Sequence, residues 1–221
     1  MISRLVCLVL GYFCGTIQTG YFLGKARGID IRDYGSHNTG ATNSLRVMGT
    51  GAGLLVLVGD ALKAIIPCLL VRHYYADRPE IMLLMVLWTG LGVMLGHDYP
   101  FYLGFQGGKG VASTVGIMLS LSPLLAVLWI AIFIVIVAIF RYISLGSILS
   151  MVFLGGYLAA GAMRGFLAVG EAYRPEFVAV GLIIPVLSIW RHRTNIGRLL
   201  RGEENRFTLF TKGMDTGKGK K

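Results

Sequence analysis

Seven apolar runs, separated by short polar stretches, organise this chain of 221 residues. The runs cover residues 2–24, 53–71, 81–96, 111–121, 124–140, 145–163 and 177–190. Most of them approach the ~20 residues that an α-helix needs to cross the hydrocarbon core of a bilayer. The pattern therefore predicts an all-α integral membrane protein with about seven transmembrane helices.

One of these helices is expected to be short. Residues 111–140 form a largely apolar stretch that would be roughly 45 Å long as a straight helix, whereas the hydrocarbon core is only ~30 Å thick. Ser122-Pro123 divides the stretch, because proline removes a helical hydrogen bond and clashes with the preceding turn. Residues 111–121 are too few to cross the core, so they are predicted to form a half-spanning helix.

The distribution of positive charge predicts how the chain is oriented. With seven segments, one face holds the loop after the first run, Lys109, Arg141 and the basic tail, and so collects most of the 21 Lys and Arg residues. With six segments the imbalance is smaller, and the tail moves away from the Gly-rich loop. Since cytoplasmic loops carry an excess of Lys and Arg, we expect seven segments, an N-terminus outside and a cytoplasmic C-terminus.

Composition supports a membrane protein and argues against a soluble one. The chain is 55% hydrophobic and only 14% charged, and no linker divides it, so residues 1–221 are expected to form one membrane-embedded domain with a flexible basic tail at about 213–221. The net charge of +10 lies mainly beside the apolar runs and in the tail, which indicates anionic lipid headgroups and not nucleic acid as partners.

The first run is not expected to be a cleavable signal. Cys7, Cys14 and Cys68 lie within apolar runs and are not expected to form disulfides.

A polar stretch between the first two runs contains candidate phosphate ligands. It reads Gly35-Ser36-His37-Asn38-Thr39-Gly40-Ala41-Thr42-Asn43-Ser44-Leu45-Arg46. Its glycines let the backbone approach a ligand closely, and its N–H groups can surround an anion. Arg46 adds a planar cation that matches phosphate or carboxylate. An ordinary polar loop is the alternative interpretation of this stretch alone.

A second polar stretch, Gly107-Gly108-Lys109-Gly110, directly precedes the half-spanning helix. The N–H groups and positive dipole end of a helix N-terminus would meet the Lys109 ammonium there, as phosphate binding requires. The stretch is not a P-loop, because it lacks the P-loop spacing and the Ser or Thr after the lysine. The alternative is an interfacial turn with a lysine that reaches toward the headgroups.

The third polar stretch follows the last run and begins Arg191-His192-Arg193-Thr194-Asn195. In a helix, His192 and Asn195 are three positions apart and share a face. His192 belongs to the residue type that ordinarily titrates near neutrality. A basic amphipathic end resting on anionic headgroups is the alternative, and it explains the arginines but not His192 and Asn195. Under the predicted topology all three stretches face the cytoplasm.

Taken in order, these motifs resemble those of the bacterial membrane acyl-phosphate:glycerol-3-phosphate acyltransferase family (PlsY type). The resemblance covers nearly the whole chain and is carried by Gly-Ser-x-Asn-x-Gly-Ala-Thr-Asn, Gly-Gly-Lys-Gly-Val-Ala-Ser and Arg-His-x-x-Asn-Ile-x-Arg-Leu. It implies a seven-helix fold and acyl transfer from acyl phosphate to the 1-hydroxyl of glycerol 3-phosphate, giving lysophosphatidic acid and inorganic phosphate. This is the first acylation in phospholipid synthesis. The resemblance also implies a bacterial inner-membrane location with a cytoplasmic site, and we expect no cofactor and no metal.

The resemblance implies roles for individual residues. The positions that match the family's catalytic residues are Ser36, Arg46, Lys109, His192 and Asn195. Those that are expected to bind substrate are Gly35, Asn38, Gly40, Thr42, Asn43, Gly108, Gly110 and Ser144. Two positions depart from the family pattern: His37, where glycine is frequent, and Gln106, where lysine is frequent. Either His192 or an oxygen of a bound phosphate would remove the hydroxyl proton, and the sequence leaves both open.

Other function classes find less support. A CDP-alcohol phosphotransferase would need an Asp-x-x-Asp-Gly metal cluster, and a soluble-type acyl-CoA acyltransferase would need His-x-x-x-x-Asp; neither pattern occurs. The main alternative is a membrane transporter of phosphate esters or anions, because broken helices and intramembrane charges are also typical of transporters. Against it, no internal repeat is visible and the polar motifs gather at one face.

Two further features are assigned to packing. Asp60 and Lys63 are one helical turn apart within the second run, and we expect them to form an ion pair inside the bundle, with a structural role in preference to a catalytic one. Glycine pairs spaced four apart indicate close helix contacts. These pairs are Gly11/Gly15, Gly20/Gly24, Gly92/Gly96 and Gly161/Gly165.

Overall fold

The computed structural model describes residues 1–207, and the predicted tail at 213–221 lies outside the described residues. Residues 1–207 form ten α-helices joined by turns and contain no strand, which confirms the all-α prediction. The helices are α1 (Ile2–Gly15), α2 (Thr19–Ala26), α3 (Ala41–Met48), α4 (Thr50–Tyr74), α5 (Pro79–Asp98), α6 (Val111–Leu121), α7 (Pro123–Phe140), α8 (Ile143–Arg164), α9 (Arg174–Arg191) and α10 (Arg193–Leu200).

The membrane-spanning prediction is confirmed in its main features. Six helical segments of the described chain are long and apolar enough to cross a bilayer, α1 and α2 together forming the first of them. The predicted half-spanning helix is α6, with 11 residues. It begins after Gly110 and ends at Leu121, before the Ser122-Pro123 step. The cytoplasmic placement of the C-terminus remains a prediction.

Helix α5 is the central helix of the bundle. In its apolar stretch, 67% of the residues are buried inside the bundle, whereas only 22% of those in α7 are buried. It packs against α1, α4, α6 and α9. The outer surface of α7 instead leaves large apolar side chains such as Leu124 and Val127 exposed, as expected of a lipid-facing helix.

Small residues bring α1 and α5 into direct backbone contact. A Cβ on Gly11 would collide with the Thr89 carbonyl oxygen, and one on Gly96 would collide with that of Tyr12. Both helices therefore need glycine at these positions. The prediction of close helix packing is confirmed for Gly11/Gly15 and Gly92/Gly96. Gly20 instead packs against the Thr39 carbonyl oxygen of a loop, and Gly161 against the Leu167 side chain.

The first apolar run, which the sequence predicts as one continuous helix, is in fact broken. Helix α1 ends at Gly15 and α2 begins at Thr19. Between them Gln18 is 1% exposed, and its Nε2 donates a hydrogen bond to the His97 carbonyl oxygen at 2.9 Å. Its Oε1 accepts one from Thr39 Oγ1 at 2.7 Å. Burying an amide is costly unless it is hydrogen-bonded, and the break places Gln18 beside these two partners.

Arg72 of α4 supplies a hydrogen-bond donor to the carbonyl oxygens at the end of the half-spanning helix. Arg72 Nη1 donates to the carbonyl oxygen of Ser120 at 2.5 Å and lies 3.4 Å from that of Leu121. The last carbonyls of a helix have no intrahelical partner, and bilayer depth offers no water to replace one. Arg72 therefore makes it possible for α6 to stop partway through the bundle.

The polar motifs gather at one end of the bundle, as predicted. This end contains the loop before α3, the loop before α6 and helix α10. The α7–α8 turn lies there too, and its Arg141 carbonyl oxygen accepts a hydrogen bond from the Phe207 N–H at 2.6 Å.

At the opposite end of the bundle, Arg4 forms a bidentate ion pair with Glu176 at 2.5 and 2.7 Å. Trp88 Nε1 donates to the same carboxylate at 2.8 Å.

Candidate active site

The three polar motifs meet at the loop that precedes α6. The Gly107 carbonyl oxygen accepts hydrogen bonds from Asn38 Nδ2 at 3.2 Å and from Arg191 Nη2 at 3.1 Å. Arg191 Nε also donates to the Gly108 carbonyl oxygen at 3.0 Å, and its guanidinium stacks over Tyr99, 5.0 Å from the ring centre. Residues that are far apart in sequence therefore form one site.

Lys109 lies at the centre of this site. Its carbonyl oxygen accepts a hydrogen bond from Ser188 Oγ at 2.9 Å, and its ammonium donates to Asn195 Oδ1. Burial lowers the pKa of Lys109 to about 8, and the neighbouring positive charge of Arg198 acts in the same direction. At neutral pH the lysine is a desolvated cation close to the start of α6, which suits it to stabilise a phosphate or a developing negative charge.

His192 is held as a neutral imidazole with one nitrogen directed away from the backbone. It is 3% exposed, and its Nδ1 lies 2.8 Å from the Ser188 carbonyl oxygen. A carbonyl only accepts, so Nδ1 carries the proton and Nε2 is left with a lone pair. Burial lowers the pKa of His192 to about 4, with a further contribution from the Lys109 charge. The pKa of His192 thus lies below the near-neutral value that is ordinary for its residue type, because burial and the nearby positive charge disfavour the imidazolium.

Asn195 connects Lys109 to a carboxylate that the sequence analysis missed. Its Nδ2 donates to Glu204 Oε1 at 2.9 Å, and Ser144 Oγ donates to the same oxygen at 3.1 Å. Arg198 Nε donates to Glu204 Oε2 at 2.7 Å. Burial raises the pKa of Glu204, but these hydrogen bonds outweigh it and the net pKa lies below its usual value. Glu204 is thus an anion inside a cationic site.

A sequence signal for Glu204 does exist, although it is weak. A buried group of cations needs a counter-charge, and the two acids that follow the third motif are Glu203 and Glu204. Glu203 pairs with Arg201 at 2.7 Å, with both side chains more than half exposed. Only the folded structure shows which of the two acids turns inward.

The first motif is shaped by Asn43. Its Nδ2 lies within hydrogen-bonding distance of the carbonyl oxygens of Ile31, Tyr34 and Asn38, at 3.2, 3.0 and 2.9 Å. Its Oδ1 accepts from the Ser36 N–H at 2.8 Å. The second half of this motif, predicted as a loop, is helical from Ala41 to Met48. Asn43 therefore shapes the backbone around Ser36, and its predicted contact with substrate stays a prediction.

Asn38 and the glycines of this motif have related roles. Asn38 Oδ1 accepts from the Gly40 N–H at 2.9 Å and so stabilises the turn into α3. Gly35 has a φ of 63°, in the left-handed region that glycine adopts at low cost. Gly110, just before α6, also has a left-handed backbone conformation, with a φ of 74°. These residues shape the rim of the site through the backbone.

Arg46 and Thr42, two predicted residues of the first motif, lie on α3 with partly buried side chains. The Arg46 guanidinium makes no hydrogen bond within residues 1–207, and the charges of Lys109 and Glu204 are near enough to act on it or to feel its charge. Burial lowers its pKa, the Glu204 charge opposes that shift and the Arg198 charge adds to it. Thr42 lies one turn before Arg46 and is also partly buried. Neither side chain makes a hydrogen bond within residues 1–207, so neither would lose one on meeting a ligand.

The two departures from the family pattern have different structural settings. His37 has a φ of 55°, which explains why glycine suits this position. Its Nδ1 lies 2.8 Å from the Arg32 carbonyl oxygen, and this contact helps to hold the unusual backbone. Gln106 is exposed at the loop before α6, so it leaves the buried part of the site unchanged.

A cavity of about 140 Å³ opens where the motifs meet. Its lining residues are polar or cationic, namely Ser36, Asn38, Lys109, Arg191, Arg193, Thr194 and Arg198. Among residues 1–207, no three His, Cys, Asp or Glu side chains lie together as the ligands of a metal ion would. The cavity is therefore suited to an anion that is recognised by several cations and hydroxyl groups.

Comparisons with known proteins agree with the geometry of this site. A family model described as glycerol-3-phosphate acyltransferase matches residues 5–202. A glycerol-3-phosphate acyltransferase of Geobacter sulfurreducens is 44% identical over 207 residues, which cover 94% of this chain and 99% of the relative. One from Fusobacterium nucleatum is 39% identical, over 90% of this chain and 96% of the relative.

Two solved structures share the fold. A crystal structure of PlsY (YgiH), described as an integral membrane glycerol 3-phosphate acyltransferase in its glycerol 3-phosphate form, superposes with a TM-score of 0.77 at 36% identity and covers 93% of this chain and 96% of that chain. The lysophosphatidic acid form of the same protein gives a TM-score of 0.75 at 35% identity, over 94% of this chain and 96% of that chain.

Proposed function

The chain belongs to the glycerol-3-phosphate acyltransferase family, and from this premise we propose that it transfers an acyl group from acyl phosphate to the 1-hydroxyl of glycerol 3-phosphate. The products would be lysophosphatidic acid and inorganic phosphate. The observation that carries the proposal is the cationic cavity at one end of a membrane bundle, formed by the three motifs together. A membrane protein of this kind takes part in phospholipid synthesis.

The substrates match the chemistry of the cavity and its surroundings. Both are phosphorylated, and the cavity is lined by Lys109 and by three arginines. The related protein has been crystallised with glycerol 3-phosphate and with lysophosphatidic acid, which supports the same acceptor and product here. The acyl donor and the product are amphiphiles, and the apolar outer surface of the bundle would let their chains lie in lipid beside the site.

The site residues fit a direct transfer between two bound substrates. The hydroxyl oxygen attacks the acyl carbon, the bond from that carbon to the phosphate oxygen breaks, and phosphate leaves with its electron pair. Lys109 and Arg46 would stabilise the negative charge that develops on the carbonyl oxygen. Ser36 and Asn195 would orient the reacting groups, and holding both substrates together supplies much of the remaining rate.

The hydroxyl proton goes to a phosphate oxygen in this proposal. His192 Nε2 can accept a hydrogen bond from the hydroxyl, but burial lowers the pKa of His192 to about 4, so it is a weak base. A phosphate monoester has a second pKa of about 6 and is the stronger acceptor. His192 therefore orients the hydroxyl, and the nearby phosphate removes the proton.

Purified protein in detergent tests the proposal. Acyl phosphate and glycerol 3-phosphate are expected to release inorganic phosphate and lysophosphatidic acid in equal amounts, whereas acyl-CoA is not expected to be used appreciably. Comparable turnover with acyl-CoA would contradict the donor assignment. Uptake of a phosphate ester into proteoliposomes without any acylated product would favour a transporter instead.

The orientation in the membrane is part of the proposal. The site end of the bundle carries most of the positive charge, and cytoplasmic faces collect Lys and Arg. We therefore place the site at the cytoplasmic face of the bacterial inner membrane, with anionic headgroups around its rim. A cysteine introduced at Gln106, which is exposed beside the site, should react with a membrane-impermeant thiol reagent only after cells are opened.

A further inference from the structure

A buried polar network lies beneath the loops of the site. The predicted ion pair between Asp60 and Lys63 is present, with Nζ 2.9 Å from Oδ1 and side chains only 2% and 3% exposed. Lys63 Nζ also donates to the Ile17 carbonyl oxygen at 2.6 Å and contacts His97 Nδ1 at 2.7 Å. Thr19 Oγ1 donates to Asp60 Oδ1 at 3.1 Å. The network therefore joins the break in the first span to α4 and α5.

Lys63 fixes the orientation of the His97 ring. An ammonium has three donors and no lone pair, so Nδ1 of His97 is the acceptor and the ring proton is on Nε2. With Asp60, Ile17 and His97 as partners, all three donors of Lys63 are used. A buried cation with every donor satisfied holds its partners in one arrangement.

His97 in turn supports the loop that carries Lys109. Its carbonyl oxygen accepts the Gly108 N–H at 2.9 Å, and the next carbonyl, that of Asp98, accepts the Gly107 N–H at 3.1 Å. A Cβ on Gly107 would collide with the His97 carbonyl oxygen, and one on Gly108 would collide with the imidazole ring. The Gly-rich loop thus rests directly on His97.

The same carbonyl also anchors the first motif. Gln18 Nε2 donates to the His97 carbonyl oxygen at 2.9 Å, while Gln18 Oε1 accepts from Thr39 Oγ1 at 2.7 Å. Thr39, 1% exposed, lies between Asn38 and Gly40 of the first motif. One backbone atom therefore fixes two loops that reach the cavity from different parts of the chain.

We propose that Asp60, Lys63 and His97 are positioning residues that set the distance between the two phosphate-binding loops. The role rests on the proposed function, because it concerns how glycerol 3-phosphate and the acyl donor are brought together. Reaction between two bound molecules is sensitive to placement, and an error of about 1 Å can cost on the order of 10²-fold in rate. A stabilising ion pair elsewhere in the bundle would have no such effect.

Arg4 and Glu176 provide a matched control, since they form an ion pair at the opposite end of the bundle. One double variant combines Asp60→Asn with Lys63→Met, and the other combines Arg4→Met with Glu176→Gln. Each removes both charges of its pair and so avoids leaving an uncompensated charge. Both proteins are expected to fold and to have a lower melting temperature than the wild type.

Only the first double variant is expected to change the kinetics. Its KM for glycerol 3-phosphate should rise about tenfold or more and its kcat should fall, because the loops no longer keep their spacing. Added glycerol 3-phosphate should raise the melting temperature of the wild type and of the Arg4/Glu176 variant. That stabilisation should be largely lost in the Asp60/Lys63 variant at the same ligand concentration.

Substitutions of His97 separate its hydrogen bond from its bulk. Asparagine carries an acceptor at the δ position, so His97→Asn can keep the contact with Lys63, whereas His97→Leu cannot. We expect His97→Asn to keep a KM for glycerol 3-phosphate close to the wild-type value and His97→Leu to raise it. Equal kinetics in the two variants would show that the hydrogen bond does not position the loop.

The outcomes separate this proposal from the proposed function. If the two double variants lose similar thermal stability and both keep the wild-type KM and kcat, the network is structural only and the positioning role is wrong. If the wild type itself shows neither turnover nor stabilisation by glycerol 3-phosphate, the proposed function is wrong and the positioning role falls with it.

Discussion

The ammonium of Lys109 donates a hydrogen bond to the side-chain oxygen of Asn195, 86 residues later in the chain. This contact joins the Gly-rich loop before α6 to the helix that follows the last span. Since an amide oxygen only accepts, the contact also fixes which end of the Asn195 amide points toward Glu204. The second and third motifs therefore act as one unit, and removing either side chain should disturb the other.

Lys109→Ala should lower turnover by roughly 10²-fold or more, because it removes a charge-assisted contact to a phosphate or to the developing oxyanion. Its melting temperature should stay close to that of the wild type. Lys25→Ala is the control, since Lys25 is a half-exposed lysine that pairs with Asp30 outside the cavity. A folded Lys109→Ala protein with near wild-type activity would show that the Gly-rich loop is only an interfacial turn.

The pH dependence of kcat/KM should also report Lys109. Burial lowers its pKa to about 8, so the side chain loses its charge as the pH rises through that value. The activity of the free enzyme should fall over the same range. In Lys109→Arg the guanidinium stays charged, and the basic limb should disappear even if the rate is lower. An unchanged basic limb in that variant would assign it to another group.

Glu204→Gln tests the carboxylate inside the cationic site. Glutamine can still accept from Asn195 and Ser144, but the charge that balances Arg198 is lost. We expect lower thermal stability and a fall in turnover on the order of tenfold. Because the pKa of Glu204 lies below its usual value, its contribution to stability is present at neutral pH and is lost as the pH falls through the lowered pKa.

Glu203→Gln is the matched control for Glu204→Gln. Glu203 is the neighbouring acid, and its side chain is 58% exposed and paired with Arg201 at the surface. Its neutralisation should leave melting temperature and turnover unchanged, because exposed ion pairs contribute little. Equal effects of the two substitutions would show that the buried position of Glu204 has no special importance.

Chelation gives a further test. The resemblance to the family and the residues of the site both favour catalysis by cationic side chains, with Lys109 and Arg46 supplying the positive charge. EDTA should therefore leave the rate of phosphate release unchanged in the purified protein. A rate that falls with EDTA and returns on addition of a divalent ion would contradict this expectation.

The sequence predicts well what depends on local pattern. The apolar runs indicate the spans, and Ser122-Pro123 locates the end of the half-spanning helix. The ion pair between Asp60 and Lys63 follows from their spacing of one turn. Each of these features is decided by residues that are close together in the chain.

The features that the sequence does not predict depend on distant partners. The break at Gln18 reflects its hydrogen bond to His97, 79 residues away, and hydropathy gives no sign of it. The inward turn of Glu204 depends in part on Ser144, 60 residues earlier, whose hydroxyl donates to it only after α8 and the C-terminal segment have packed. The assignment of catalytic roles to site residues is likewise a prediction that needs the variants described here.

The C-terminal motif offers the sharpest choice between a site and a membrane anchor. His192 and Asn195 are buried, at 3% and 6% exposure. Asn195 accepts a hydrogen bond from Lys109, and His192 contacts Ser188, whose hydroxyl donates to the Lys109 carbonyl oxygen. Arg201 points outward, with its side chain 61% exposed. A membrane anchor would depend on the exposed arginine, whereas a site would depend on the two buried side chains.

Detergent without anionic lipid separates these two roles. In it, His192→Ala and Asn195→Ala should each lower turnover by roughly 10²-fold or more, because the first loses the group that orients the hydroxyl and the second releases Lys109 from its partner. Arg201→Ala should stay close to the wild type, since no headgroup is present for it to bind. If the arginine change were instead the harmful one, and only in anionic vesicles, the motif would be an anchor. A fully active His192→Ala protein would leave orientation of the hydroxyl to Ser36 and Asn195, with proton removal still assigned to the substrate phosphate.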